Sequence, residues 1–390
     1  MNKVILSSHI ALLMVIFMMP IFRLNAQESQ TLPTPKIKVG TAKITGNILN
    51  VPKSNTKGRE RVKVLYSNFI GNNTFNKNEI ISVNVDSNYH FDVDVPLMTD
   101  KALAFLSISD NDSTSNLELC LGLDQEKPVH VDFDMQPQNV NKEIIIKGGL
   151  GFNALDANLL IQCVMNFDDY CVEFGEMHGV YGSQAMTPKE YLSVENEDLN
   201  RRTRFALDSL LYPLAPRLEI LIKNYYKMMY INSRYFGYKD YVEQIAKRYH
   251  DSDKIVAVEP DKSYYSFLKD DDLNNPNWIY TSQLAYNVYE SFLYRFLDIK
   301  AFGIPPIGDM DAEKWAQIVK DNVSDVLGFK DGFFYDMLVA ASYSKQISKD
   351  KKPFTQMQKT NINKYFNPRE ADMATILLGL EVKKQEPDNR

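Results

Sequence analysis

Three side chains in the N-terminal half carry the residue types of an activated nucleophile: Cys120, His130 and Asp132. They lie in two stretches that alternate apolar and polar residues, 117–123 and 129–135, joined by a short polar segment. If the stretches form a β-hairpin, Cys120 lies opposite Asp132 and diagonal to His130 on one face. A thiol, an imidazole and a carboxylate within reach of one another would activate the sulfur. A polar strand face turned to water is the alternative, and a one-residue shift in register would separate all three groups.

The other two cysteines, Cys163 and Cys171, are eight residues apart on a predicted helix, about 12 Å along its axis, so they cannot bond each other. Cys171 lies on an apolar stripe, which predicts a core position. The acidic runs 110–112 and 270–272 lack the Gly and Glu positions of a calcium loop. With no metal-ligand spacing among the histidines and no Gly-rich phosphate loop, the sequence predicts no metal and no cofactor, and leaves Cys120 as the candidate lone reactive thiol.

A tyrosine-rich region is the best binding candidate in the chain. A tyrosine joins an apolar ring to a polar hydroxyl, which suits a groove for a peptide or a glycan. Packing between helices is the alternative interpretation, and a hydrolase that uses such a groove is the weakest functional hypothesis. The residues are Tyr225, Tyr226, Tyr230, Tyr235, Tyr238 and Tyr241.

Two patterns of hydrophobic spacing divide the chain. Residues 40–148 show a period of two, with predicted hairpins at 81–95 and 117–135, and further strands at 42–49, 62–67, 103–108 and 143–146. Such short strands with polar turns are typical of an antiparallel sandwich. After Gly148 and Gly149 the period becomes helical over 150–382. The predicted fold is α+β: an N-terminal antiparallel β-sandwich module followed by an irregular all-α helical module.

Several local signals place the helices of the second module. Thr187, Pro188 and Glu190 have the spacing of a capped helix start. Apolar stripes predict further helices at 218–231, 288–296, 315–323 and 333–347, and a final helix that begins at 367–370.

Composition and the N-terminus predict an exported globular protein. The chain has 390 residues, 44% of them hydrophobic, and a net charge of −6 that argues against nucleic-acid binding. Residues 1–26 resemble a signal peptide, with Lys3, an apolar run at 10–22 and small residues before Gln27. The run is shorter than the roughly 20 residues that span a bilayer. We therefore expect a periplasmic or secreted chain without a membrane span, a flexible leader at 27–39 and a charged tail at 383–390.

The layout resembles a known family of exported proteins. The segments that carry the resemblance are 42–48 (AKITGNI), 129–134 (VHVDFD), 147–149 (KGG), 264–269 (YYSFLK) and 327–338 (LGFKDGFFYDML). Between about residues 40 and 380 the chain is similar to the N-terminal region of TlpA-like thiol–disulfide oxidoreductases of the Bacteroidetes. The resemblance implies a β module and helices that precede a thioredoxin domain. The W-C-x-x-C motif of that domain has no counterpart here, so no active-site residue is carried over.

Two functional hypotheses follow from this combination. Disulfide exchange needs a reactive thiolate and usually a second thiol nearby, and the sequence supplies no such pair. The first hypothesis is an exported, non-catalytic binding or scaffold protein with a thioredoxin-like protein, a peptide or a glycan as its partner. The alternative is a subunit of a periplasmic thiol–disulfide redox system that acts with a separately encoded thioredoxin-like domain, or through Cys120 alone.

Overall fold

A computed structural model describes residues 31–51, 61–71, 79–110, 114–134, 144–173, 185–248, 259–284 and 287–385. Within these ranges eight strands precede ten α-helices, which confirms the α+β class. The predicted signal peptide lies outside the described residues. None of the helices in these ranges is both long and apolar enough to cross a bilayer.

The strands form two four-stranded sheets packed face to face. The outer sheet has the order β4-β1-β7-β8, and β1 and β7 run parallel in it. The inner sheet has the order β3-β2-β5-β6 and is antiparallel throughout. The strands are β1 (Ile37–Leu49), β2 (Arg61–Tyr66), β3 (Glu79–Asn84), β4 (His90–Thr99), β5 (Lys101–Asp110), β6 (Thr114–Asp124), β7 (Val129–Asp134) and β8 (Ile144–Gly148).

Both predicted hairpins are wrong, although their strands are present. β3 and β4 lie in different sheets, and so do β6 and β7. Each short polar segment therefore carries the chain across the sandwich instead of back along the same sheet. Alternation does not distinguish the two cases, because every second side chain faces the common core in either arrangement. The hairpins that do form are β2–β3, β5–β6 and β7–β8.

The inner sheet is covered on both faces. Ala102, Ala104 and Leu121 point into the sandwich core, whereas Leu103 and Cys120 belong to the core of the helical module. The Leu103 amide donates a hydrogen bond to Gln283 Oε1 at 2.9 Å, which joins this sheet to the helices. The molecule is therefore layered as outer sheet, inner sheet and helices, and the free face of the outer sheet is turned to water.

Seven of the ten described α-helices coincide with predicted signals, whereas those at 238–248, 279–284 and 356–366 were not predicted. A capping box confirms the start at Thr187 with Glu190, and Gly148 and Gly149 end the β module with positive φ values of 85° and 52°. The last helix begins at Ala371, a few residues after its predicted start. The helices are α1 (Ala154–Glu173), α2 (Pro188–Asp208), α3 (Pro216–Ser233), α4 (Tyr238–Arg248), α5 (Ile279–Leu284), α6 (Val288–Asp298), α7 (Ala312–Leu327), α8 (Phe333–Ser348), α9 (Gln356–Phe366) and α10 (Ala371–Gln385).

The two predicted flexible ends are partly ordered. Leu32 is buried, and the Tyr280 hydroxyl donates to the carbonyl oxygen of Pro33 at 2.8 Å. Strand β1 then begins at Ile37, inside the predicted leader. At the other end α10 extends to Gln385, so the first residues of the predicted charged tail are helical. The remaining leader residues, 27–30, and the tail residues 386–390 lie outside the described ranges.

Candidate functional site

Cys120 lies apart from His130 and Asp132. It pairs with Phe105 in the inner sheet, whereas both polar residues lie on β7 in the outer sheet. The predicted thiol–imidazole–carboxylate cluster therefore does not form. Cys120 is fully buried against the helices, and burial raises the pKa of its thiol to about 12. Because the thiolate is the nucleophile, this environment argues against a lone reactive thiol.

Cys163 has a similar environment on α1. It is buried, and burial raises its pKa to about 12 against the opposing effect of a hydrogen bond with Tyr226. The side chain of Cys171 lies outside the described residues. Cys120 and Cys163 thus behave as small apolar core residues.

His130 and Asp132 belong instead to a hydrogen-bonded row on the water-facing side of the outer sheet. His130 Nε2 lies 3.0 Å from Asp132 Oδ1, and Thr45 Oγ1 lies 2.9 Å from His130 Nδ1. Asn47 donates to Asp132 at 2.7 Å and lies 3.2 Å from His90 Nδ1. A hydroxyl, an imidazole and a carboxylate do meet here, but they lie on a sheet face rather than in either cleft described below. A catalytic site needs a cleft as well as the reactive groups. The parallel pairing of β1 with β7, which brings Thr45 and Asn47 in, was not predictable from alternation.

The six candidate tyrosines form core rather than a surface groove. All are buried, with exposed fractions between 0% and 8%. Several of their hydroxyls bond inside the helical module: Tyr226 donates to the Cys163 carbonyl oxygen at 2.6 Å, and Tyr238 donates to that of Met186 at 2.9 Å. Tyr235 donates to Asn196 Oδ1 at 2.5 Å. The expectation of a tyrosine-lined binding groove is therefore wrong, and packing between helices accounts for these residues.

A buried charged centre, missed by the sequence analysis, joins α2 to α3. Asp198 accepts hydrogen bonds from Arg202 Nε at 2.8 Å and from the Tyr230 hydroxyl at 2.5 Å. Burial by itself would raise the pKa of Asp198, but the hydrogen bonds from Tyr230 and Arg201 and the charge of Arg202 lower it. Glu195, Asp198 and Arg202 are spaced at i, i+3 and i+7, so they share the helix face that Tyr230 contacts. This spacing of charged residues is the sequence signal from which the buried charged centre could have been predicted.

The centre fixes one end of a groove between α2 and α3. Pro213 and Pro216 both disfavour helix at the residue before them, so the connection 209–215 runs as an extended loop. Leu214 is buried and anchors this loop. The groove has a volume of about 530 Å³. It is lined by Asn200, Thr203, Arg204, Leu207 and Asp208 of α2, Leu210, Pro213 and Leu214 of the loop, and Glu219 and Lys223 of α3.

Large apolar side chains project beside this groove. Leu211 is 87% exposed and Tyr212 is 57% exposed in the loop 209–215, and Phe205 of α2 and Ile220 of α3, each next in sequence to a lining residue, are 42% and 44% exposed. We refer to these four residues as the apolar tip. Adjacent exposed apolar side chains of this size mark interaction surfaces more often than isolated ones do.

Charges of both signs border the groove. Lys223 pairs with Glu219 at 2.5 Å within α3. On α2, the side chains of Arg204 and Asp208 make no hydrogen bond or ion pair with any residue that the structure describes. A lining that mixes leucines with charged and polar side chains fits a peptide segment, whose main chain and side chains present both kinds of group.

The described ranges contain no group of three or more His, Cys, Asp or Glu side chains placed to hold a metal ion. The sequence matches no family model and no curated protein.

Proposed function

We propose that this chain is an exported, non-catalytic binding or scaffold protein that holds a peptide segment of a partner protein at the α2–α3 groove. The observation that carries the proposal is the apolar tip, where a leucine and a tyrosine in sequence stand out into water beside a groove of about 530 Å³. Export is part of the proposal and rests on the signal-peptide pattern of residues 1–26.

The support of the groove favours recognition. Asp198, Arg202 and Tyr230 tie α2 to α3, and the capping box at Thr187 fixes the start of α2. A rigid support lowers the entropic cost of binding, because fewer residues have to become ordered when the complex forms. Tyrosine and arginine, which occur here as Tyr212 and Arg204, are also the residue types that contribute most to binding energy at interfaces.

The alternative, a subunit of a thiol–disulfide redox system, is supported only in the form that uses a separate thioredoxin-like partner. Cys120 and Cys163 have pKa values of about 12 because they are buried, so neither favours thiol exchange by this chain alone. In that form a thioredoxin-like partner supplies the reactive thiols, and its docking on the groove is an instance of the proposed function.

Peptide selection on the mature chain tests the proposal. Peptides of random sequence are displayed on phage, selected on residues 27–390 and measured by fluorescence anisotropy. We expect the double variant Leu211→Ser/Tyr212→Ser to lose about tenfold or more in affinity, because truncated hot-spot residues each contribute roughly 1 kcal/mol or more. Both side chains are exposed, so the thermal unfolding midpoint of the variant should not fall.

A matched control replaces Met357, which is 56% exposed on α9, by serine. The control should bind the selected peptides as the wild type does. Selected peptides that bind the double variant as tightly as the wild type would contradict the groove as the recognition surface. Robust insulin reduction by the purified chain would contradict the non-catalytic part.

A further inference from the structure

A second cleft, far from the α2–α3 groove in the chain, opens where the two sheets meet α10. Its volume is about 200 Å³. Pro96 and Met98 of β4 form one wall, and Ile376 and Leu380 of α10 form the other. For comparison, an apolar cavity of about 150 Å³ is large enough to bind benzene. The cleft therefore has room for a molecule with one ring or a short alkyl chain.

Gly379 keeps this cleft open. It lies inside α10 and lines the cleft, and a Cβ atom placed on it would meet no atom within 4 Å. Its backbone is not left-handed, so the helix conformation does not require glycine. A glycine inside a helix is less favourable than alanine by about 0.5–1 kcal/mol. The conformational reason for a glycine is thus lacking, and the space it leaves belongs to the cleft.

One charged side chain, Glu79, lies among the residues that line the cleft. Its carboxylate accepts hydrogen bonds from the Tyr66 hydroxyl at 2.6 Å and from Asn68 Nδ2 at 3.3 Å. Tyr66 and Asn68 also line the cleft and are buried, so the carboxylate is held in a fixed position. Burial and then the bond to Glu79 raise the pKa of Tyr66, which keeps its hydroxyl a donor. A carboxylate has about four acceptor positions, so it can receive several donors at once.

We infer that this cleft binds a small, mainly apolar molecule that carries a hydrogen-bond donor, such as a phenol. The apolar body lies between β4 and α10, and the donor faces Glu79. This site is separate from the proposed peptide groove, and neither depends on the other.

Ligand-detected NMR with three monosubstituted benzenes tests the inference on the mature chain. The probes are phenol, toluene and benzoate, which present a donor, no polar group and an anion at the same position. We expect phenol to bind about tenfold or more tightly than toluene, because a hydrogen bond to a charged group is among the stronger ones. Benzoate should bind most weakly, since two carboxylates would face each other.

Two variants locate the site and test the role of Glu79. Gly379→Leu fills the cleft and should abolish binding of phenol and toluene. Ala371→Leu adds the same side chain to the exposed start of α10, outside the cleft, and should bind as the wild type does. Glu79→Gln keeps the shape of the side chain and should reduce the preference for phenol over toluene several-fold while toluene binding persists. Thermal unfolding of each variant by circular dichroism shows that it is folded.

The outcomes separate the parts of the inference. Binding of phenol to folded Gly379→Leu at wild-type strength would overturn the cleft as the site. Equal binding of phenol and toluene by the wild type, or an unchanged preference in Glu79→Gln, would overturn the donor requirement. No detectable binding of either neutral probe to the wild type would overturn the inference as a whole.

Discussion

Replacing Glu195 by glutamine should stabilise the protein, and the gain should grow with pH. Glu195 is 1% exposed on α2, and its Oε2 atom has no hydrogen-bond partner among the described residues. Burial raises its pKa above the ordinary value of 4.5, and the repulsion of Asp198 adds to this effect, while Arg234 and Arg202 oppose it. Keeping Glu195 ionised in this position at neutral pH therefore lowers the free energy of unfolding.

The direction of this pH dependence follows from which state, folded or unfolded, binds the proton of Glu195 more tightly. Because folding raises the pKa of Glu195, the folded state is favoured below pH 4.5, and this contribution is lost as the pH rises through the higher folded-state pKa. A buried group without its full set of hydrogen bonds costs about 1–3 kcal/mol. We expect Glu195→Gln to gain about this free energy of unfolding near pH 8 and little near pH 4.

Urea unfolding of both proteins across this pH range measures the difference. Glu197→Gln, on the exposed face of the same helix, is the matched control and should show a small difference that does not grow with pH. The reasoning is refuted if Glu195→Gln differs from the wild type by the same amount at every pH. A variant that is less stable than the wild type near pH 8 would refute it as well, because the attraction of the two arginines would then exceed the effect of burial.

Two further predictions concern the buried thiols and the contact between the modules. In a Cys171→Ser background, Cys120 and Cys163 should stay unlabelled by Ellman's reagent near pH 8, because a pKa of about 12 leaves about one thiolate in ten thousand. Both should react once guanidinium chloride unfolds the chain, and rapid labelling of the native protein would contradict their burial. Gln283→Leu should lower the free energy of unfolding by about 1–3 kcal/mol, since it leaves the buried Leu103 amide without its acceptor. Gln317→Leu on an exposed helix face is the control, and equal urea midpoints for the two variants would show that this hydrogen bond is unimportant.

Local signals in the sequence predicted where helices and strands begin and end better than they predicted which strands pair with each other. Thr187, Pro188 and Glu190 act within one helical turn, so the start of α2 could be predicted without knowing its surroundings. Gly148 and Gly149 likewise mark the end of the β module through their own backbone. The pairing of strands is a different problem, because it depends on segments far apart in the chain. The turn before β7 therefore gave no sign that this strand would pair with β1 in parallel.

The candidate site shows the same limit. Tyrosine suits both a helix core and a binding surface, so the composition of 225–241 could not decide between them. The decisive information lay on α2, where Glu195, Asp198 and Arg202 share the face that meets Tyr230. The apolar tip could not be predicted from the sequence either. A short apolar run such as 210–214 predicts burial, and only the fold shows that Leu214 faces the core while Leu211 does not.

Burial of the tyrosines and exposure of the apolar tip are connected through α3. Tyr225, Tyr226 and Tyr230 fix the second half of this helix in the core, and Tyr230 also bonds Asp198 of α2. The first half then has a set direction, and the loop before it must project from the helical module. Leu211 and Tyr212 are consequently presented by a loop whose two ends belong to well-packed helices. If recognition depends on that support, Tyr230→Phe, which keeps the ring and removes the bond to Asp198, should weaken peptide binding less than the double variant at the tip but more than Met357→Ser.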